Sequence, residues 1–169
     1  MENNQYPSVA NLACPKCGKK DFRVISIKGS LAKIGTVAAF GALANLALDS
    51  KSKGDFEIKP VKYQCLGCKN KFEALPLVAE PDELLETPCR IKFHRQKSAL
   101  GMAVSQQVYM NGVKMGNVGN GKELEFQTFI KENTLFVTDQ TGTAFPGTYK
   151  FTAENGGTEQ IDFKRKFMN

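Results

Sequence analysis

The sequence predicts a mainly β chain: an N-terminal ribbon closed by cysteines and interrupted by an apolar helical insertion, then a small antiparallel β-sandwich. Three observations carry this. Cys14-Pro15-Lys16-Cys17 and Cys65-Leu66-Gly67-Cys68 are paired Cys-x-x-Cys turns flanked by β-branched runs. Leu31 to Leu48 is apolar except for Lys33, Thr36 and Asn45. Residues 89–169 alternate apolar and polar positions between turn residues, the period-2 pattern of half-buried strands.

Composition narrows the chemistry. The 169 residues suffice for one ordinary domain or two small ones. A single histidine and no tryptophan argue against most histidine-based catalytic and metal sites. No Ser/His/Asp set and no phosphate-binding glycine loop is present, so the expectation is a non-enzymatic protein. The net charge of +6 is unevenly placed: residues 1–75 carry twelve Lys/Arg against six Asp/Glu, whereas residues 76–88 carry four acids and no base. A basic balance is compatible with nucleic acid, an anionic lipid surface or a solvated exterior. The polar start Met1-Glu2-Asn3-Asn4-Gln5 lacks the pattern of a signal peptide, so a reducing cytoplasmic setting is expected. There, paired Cys-x-x-Cys units read as metal ligands before disulfides.

In chain order, residues 1–12 read as a flexible N-terminus and residues 13–75 as the ribbon. Cys14 to Gly18 is a tight turn in which backbone amides point at sulfur, and Gly18 accepts the positive φ such turns require. Lys16, Lys19 and Lys20 surround it, and nearby cations favour thiolate. Phe22 to Ile27 follows as a strand.

Residues 30–50 form the insertion. Ser30 suits an N-cap, and the alanines and leucines favour helix. On a wheel of about 100° per residue, Leu31, Ile34, Val37, Phe40, Leu43 and Leu46 point in nearly every direction. A helix apolar all round is buried in protein or lipid. Gly35/Ala39 and Ala38/Ala42 have the i, i+4 spacing that lets helices approach closely. A single span is possible by length, since the segment rises about 27 Å as a helix, just short of a hydrocarbon core. A simple span, however, would put the two cysteine pairs on opposite sides. Open readings are a hairpin broken near Gly41 that dips into one leaflet, a helix in the interface, or packing against protein.

Asp49 to Asp55 is a polar loop. Phe56–Lys59 and Val61–Gln64 alternate as strands on either side of Pro60, and Lys71–Leu75 leaves the second turn as another. The order knuckle, strand, insertion, strand, knuckle, strand fits a zinc ribbon with a long insertion at its hairpin tip. Cys14, Cys17, Cys65 and Cys68 are the ligand candidates for one zinc ion, and four thiolates leave no open position for catalysis. The first knuckle with Gly18 is also similar to a rubredoxin knuckle, but without an aromatic core containing tryptophan these surroundings favour zinc over iron.

Over residues 13–75 this arrangement of Cys-x-x-Cys, apolar stretch and Cys-x-x-Cys resembles the LITAF-type zinc domain. The resemblance implies one zinc shared by the four cysteines and an apolar segment inserted into the cytoplasmic face of a membrane.

Pro76, Pro81 and Pro88 mark residues 76–88 as an acidic linker, with one helical turn expected at Asp82–Glu86. Residues 89–169 form the sandwich module. Cys89, Ile91 and Phe93 alternate with Arg90, Lys92 and His94, placing Cys89 in the core and His94 toward solvent. Val108 to Met115 is a hairpin about Asn111-Gly112, pairing Met110 with Val113 and Val108 with Met115. Leu124 and Phe126 alternate with Glu123, Glu125 and Gln127; Thr134–Thr138 is the next strand; Pro146-Gly147 suits a type II turn. A final hairpin about Asn155-Gly156-Gly157 pairs Phe151 with Ile161 and Tyr149 with Phe163. Val108 to Gly116 and Pro146-Gly147-Thr148-Tyr149 resemble small β-sandwich modules of the PEGA and DUF2846 kind, which implies a non-enzymatic, often envelope-associated domain. The tail Phe163-Lys164-Arg165-Lys166-Phe167 reads as a charged edge strand or a phosphate contact.

The functional expectation is a zinc-ribbon protein that presents residues 31–48 to the cytoplasmic face of a membrane or to copies of itself, with a sandwich whose protein ligand the sequence does not identify. The alternative is a nucleic-acid-binding zinc ribbon, which an apolar rather than basic insertion suits poorly.

Overall fold

The computed structural model describes residues 9–26, 60–75, 77–79, 81–99, 104–140 and 148–164. The expected insertion helix at 30–50, the strand at 56–59 and the Pro146-Gly147 turn lie outside these residues. The described residues form twelve strands: β1 (Val9–Asn11), β2 (Phe22–Ser26), β3 (Val61–Cys65), β4 (Lys71–Ala74), β5 (Leu77–Ala79), β6 (Leu84–Arg95), β7 (Gln106–Met110), β8 (Val113–Val118), β9 (Glu123–Ile130), β10 (Glu132–Thr138), β11 (Tyr149–Thr152) and β12 (Thr158–Phe163). Among them no helix is long and apolar enough to cross a membrane.

The period-2 patterns become faces. Val61, Tyr63 and Cys65 of β3 are buried while Lys62 is exposed. Cys89, Ile91 and Phe93 of β6 are buried while Arg90 and Lys92 are exposed. Seven strands hydrogen-bond in the order β11-β10-β7-β8-β4-β3-β2, so strands flanking the cysteine turns and strands from beyond residue 105 share one sheet. The junction is narrow. Ala74 of β4 pairs with Val113 of β8, and the Leu75 amide donates to the Gly112 carbonyl at 2.9 Å. A second sheet, β12-β6-β9, joins β7, β8 and β10 in enclosing a core that includes Ile91, Phe93, Val108, Leu135 and Val137. A different cluster contains Tyr63, Phe72, Tyr109 and Phe136 together with Cys14 and Cys65. Because alternate residues point to opposite faces, β7 and β10 are buried on both sides. Tyr109 and Phe136 are register partners whose rings stack with centroids 5.0 Å apart.

Several local expectations change. Val9–Asn11, read within the flexible N-terminus, forms β1 and pairs in parallel with β5. The helical turn at Asp82–Glu86 is replaced by strand from Leu84, with an irregularity between Leu84 and Cys89. That break accommodates Pro88, which has no N–H to donate. At the β7–β8 turn, Asn111 and Gly112 both take positive φ, 51° and 77°, as a two-residue hairpin requires. Met110 faces Val113 as expected. Val108, however, faces Gly116 rather than Met115, because a bulge inserts one residue. Met115 then packs against both core clusters.

The final hairpin does not form. β11 pairs with β10, whereas β12 runs parallel to β6 in the other sheet, so the second sheet is mixed rather than antiparallel. Asn155-Gly156-Gly157 carries the chain across. Thr87 N–H donates to Asn155 Oδ1 at 3.0 Å, Gly156 N–H to Thr87 O at 3.3 Å and Arg90 N–H to Gly157 O at 2.9 Å. Gly156 has φ 66°, which glycine adopts without a Cβ penalty. Backbone hydrogen bonds to β6 thus replace the expected hairpin ladder.

Buried amides tie the β7–β8 turn to the β9–β10 corner. Asn111 Nδ2 donates to Asn133 Oδ1 at 2.8 Å, Thr128 Oγ1 donates to the same oxygen at 2.9 Å, and Asn133 Nδ2 donates to Ile130 O at 2.8 Å. Thr134 N–H donates to Asn111 Oδ1 at 2.8 Å. Asn133→Ala strands several of these groups and is expected to cost about 2–4 kcal/mol. Urea unfolding checks this, with Asn117→Ala on the exposed part of β8 expected within about 0.5 kcal/mol of the unmodified protein.

Candidate metal centre

The two cysteine turns have the same backbone. In the first, the Cys14 amide donates to Lys19 O at 2.9 Å and the Gly18 amide to Cys14 O at 2.8 Å. In the second, the Cys65 amide donates to Asn70 O at 2.9 Å and the Lys69 amide to Cys65 O at 3.0 Å. The residue after each second cysteine takes positive φ: Gly18 at 71° and Lys69 at 63°. Gly18 does so freely. Lys69 does so with a side chain, whose Nζ donates to Leu66 O at 2.8 Å. The turns also hold each other: the Leu66 amide donates to Asp21 O at 2.8 Å, and Lys19 lies across Gly67, where a Cβ would sit 2.5 Å from its Cδ.

This repeated geometry brings Cys14, Cys17, Cys65 and Cys68 together, with all four Sγ atoms within 4.8 Å of one another. Cys14 and Cys68 approach to 3.5 Å and Cys17 and Cys65 to 3.7 Å. These separations far exceed a disulfide bond of about 2.0 Å. They match the edge of about 3.8 Å of a thiolate tetrahedron with metal–sulfur bonds of about 2.3 Å. The donor set and its spacing therefore fit a metal ion. Cys14 and Cys65 are buried and Cys17 and Cys68 half-buried. Among the described residues this is the group of potential ligands that converges. His94 lies on the other sheet, its Nδ1 2.8 Å from Asp162 Oδ1.

Burial and backbone amides set the acidities. Burial pushes the Cys14 thiol up to about 12, against the pull of amides from Lys16 and Cys17. Burial also raises Cys17. The Asn70 amide is the main influence on Cys68 and draws it down to about 7. Burial, backbone amides and neighbouring sulfurs, rather than the lysine ammoniums expected to favour thiolate, are the causes of these shifts. A divalent cation would supply what the buried Cys14 sulfur lacks, a compensating charge for its thiolate.

The first turn is docked on the opposite half of the chain. Gln127 Nε2 donates to Pro15 O at 3.0 Å and Lys16 O at 3.3 Å. A Cβ on Gly18 would sit 2.8 Å from the Phe129 ring, so glycine serves both the turn and the close contact. Gln127 and Phe129 were not expected at the site. The available signal was Phe129 itself, an aromatic residue in phase with Glu123, Glu125 and Gln127 on the otherwise polar face of β9. The six expected contact residues, Leu31, Ile34, Val37, Phe40, Leu43 and Leu46, lie outside the described residues.

In metal-free protein, Cys68 is expected to react first with iodoacetamide, its rate rising through about pH 7, while Cys14 stays protonated and slow until strongly alkaline pH. Peptide mass spectrometry over a pH series checks this order; faster labelling of Cys14 at neutral pH would contradict it.

In comparison with known proteins, no family model and no curated protein matches the chain.

Proposed function

We propose that this is a non-enzymatic zinc-ribbon protein whose four-cysteine site fixes the base of an apolar insertion, presented to a membrane surface or to copies of the same chain. The supporting observation is the pairing of β2 with β3. Phe22 faces Cys65 at the cysteine end, and Ser26 faces Lys62 at the other. The segment joining these strands therefore leaves and returns at neighbouring positions, about 5 Å apart. A segment entering a bilayer from such a base must come back to the side it left. A hairpin or an interfacial helix satisfies that condition, whereas one crossing does not.

Zinc is the ion that best suits the donor set. Four thiolates in a closed tetrahedron give a soft, redox-silent structural site with no position left for substrate. The LITAF-type resemblance points the same way, since in that family a shared zinc and an apolar insertion occur together. The strands beyond residue 105 act in this reading as the scaffold and the binding module, in keeping with their resemblance to PEGA-type sandwiches.

The test separates presentation from folding. Val37→Glu combined with Phe40→Glu is expected to abolish co-flotation with vesicles, or to convert oligomer to monomer, at unchanged zinc content. Flotation and light scattering on both proteins check this. An unmodified protein that is monomeric and ignores vesicles would overturn both versions.

A further inference from the structure

The end of the molecule that carries the cysteine turns is basic. Residues 12–25 and 60–75 contain seven Lys/Arg, all exposed, against Asp21 and Glu73. Glu73 is already engaged by Lys62 at 3.9 Å and Lys114 at 3.4 Å. Among the described residues no carboxylate forms an ion pair with Lys16, Lys19, Arg23, Lys69 or Lys71. Arg23 and Lys69 are instead held by neutral oxygens, Arg23 Nε on Gln64 Oε1 at 2.9 Å and Lys69 Nζ on Leu66 O at 2.8 Å, which position the charge without cancelling it.

These groups form one surface. Arg23, Gln64 and Lys71 are successive register partners across β2, β3 and β4. Partners in register share a face, so Arg23 and Lys71 flank Gln64 with about 10 Å between their strands. Gln64 Nε2 donates to Lys69 O at 3.3 Å, and Lys19 lies over Gly67 of the same turn. The surface keeps its sign when the metal site is charged. Lys19, Arg23, Lys69 and Lys71 bring four positive charges to it. A tetrathiolate site holding a divalent ion carries a net charge of about −2 and offsets only part of that charge.

We infer that this surface binds the phosphodiester backbone of nucleic acid without reading its sequence. At the cysteine turns themselves the exposed apolar content favours that partner over a bilayer. Membrane-surface binding combines basic residues with buried apolar area. At the cysteine turns Leu66 is the one exposed large hydrophobic residue among those described, while Ile25 stands toward the other end of β2. The inference does not depend on what the apolar insertion contacts.

Fluorescence anisotropy with a labelled single-stranded oligonucleotide tests it. Binding should weaken steeply between about 50 and 200 mM salt. Lys19→Gln/Lys69→Gln/Lys71→Gln should weaken binding at least about tenfold and reduce the salt slope by about 2. Lys92→Gln/Lys97→Gln/Lys122→Gln removes the same charge elsewhere and should leave both nearly unchanged. Unchanged metal content and circular dichroism verify that the variants are folded. Equal loss in the two triple variants, no binding by the unmodified protein at about 50 mM salt, or binding to phosphatidylserine vesicles without binding to the oligonucleotide would each overturn the inference.

Discussion

Four sulfurs within 4.8 Å of one another join two turns that the chain separates by residues 18–64. Each turn supplies one buried and one half-buried sulfur through the same backbone pattern. Neither turn alone can complete a tetrahedral site, so closure requires the β2–β3 pairing, and that pairing brings both attachments of the insertion to one end of a short hairpin. Metal affinity of structural sites, about 10–16 kcal/mol for zinc in small domains, is comparable with the whole stability of a typical protein, about 5–15 kcal/mol. Occupancy of such a site would therefore bear on folding of the entire edge of the sheet.

The rest of the molecule supports that edge from two directions. The large sheet continues from β4 into β8 through the Ala74–Val113 pair, and the stacked Tyr109 and Phe136 belong to the same cluster as Cys14 and Cys65. From the other sheet, Gln127 holds the carbonyls of the first turn and Phe129 covers Gly18. The Asn111–Asn133–Thr128 network fixes the hairpin turn and the β9–β10 corner next to that contact. The cysteine turns thus rest on a scaffold drawn from distant parts of the sequence, unlike an isolated metal knuckle.

Much of the site was legible because its signals are local. The Cys-x-x-Cys spacing, the glycine at position 18 and the alternation of Val61, Tyr63 and Cys65 each report on a few neighbouring residues, and the folded chain agrees with them. What escaped depends on partners far away. The turn residues Asn155-Gly156-Gly157 suggested a hairpin pairing Ile161 with Phe151, but hydrogen bonds to Thr87 and Arg90 decide that β12 joins β6 and that Ile161 lies beside Phe93. The bulge at Met115 moves the register by one residue because Met115 packs between two clusters. Lys69 takes the positive φ normally given to glycine, since the turn's hydrogen bonds and its own Nζ contact hold it there. The lysines near the first turn looked like a source of thiolate stabilisation, yet burial raises both Cys14 and Cys17, and it is at Cys68 of the second turn that a backbone amide prevails.

The most direct test of the account is metal analysis combined with X-ray absorption at the zinc edge, on the protein as purified and on Cys65→Ser. The account expects one zinc per chain surrounded by four sulfurs at about 2.3 Å, and loss of most of that zinc in the variant. A purified protein that holds no metal and stays folded, or a zinc shell of nitrogen and oxygen, would contradict it.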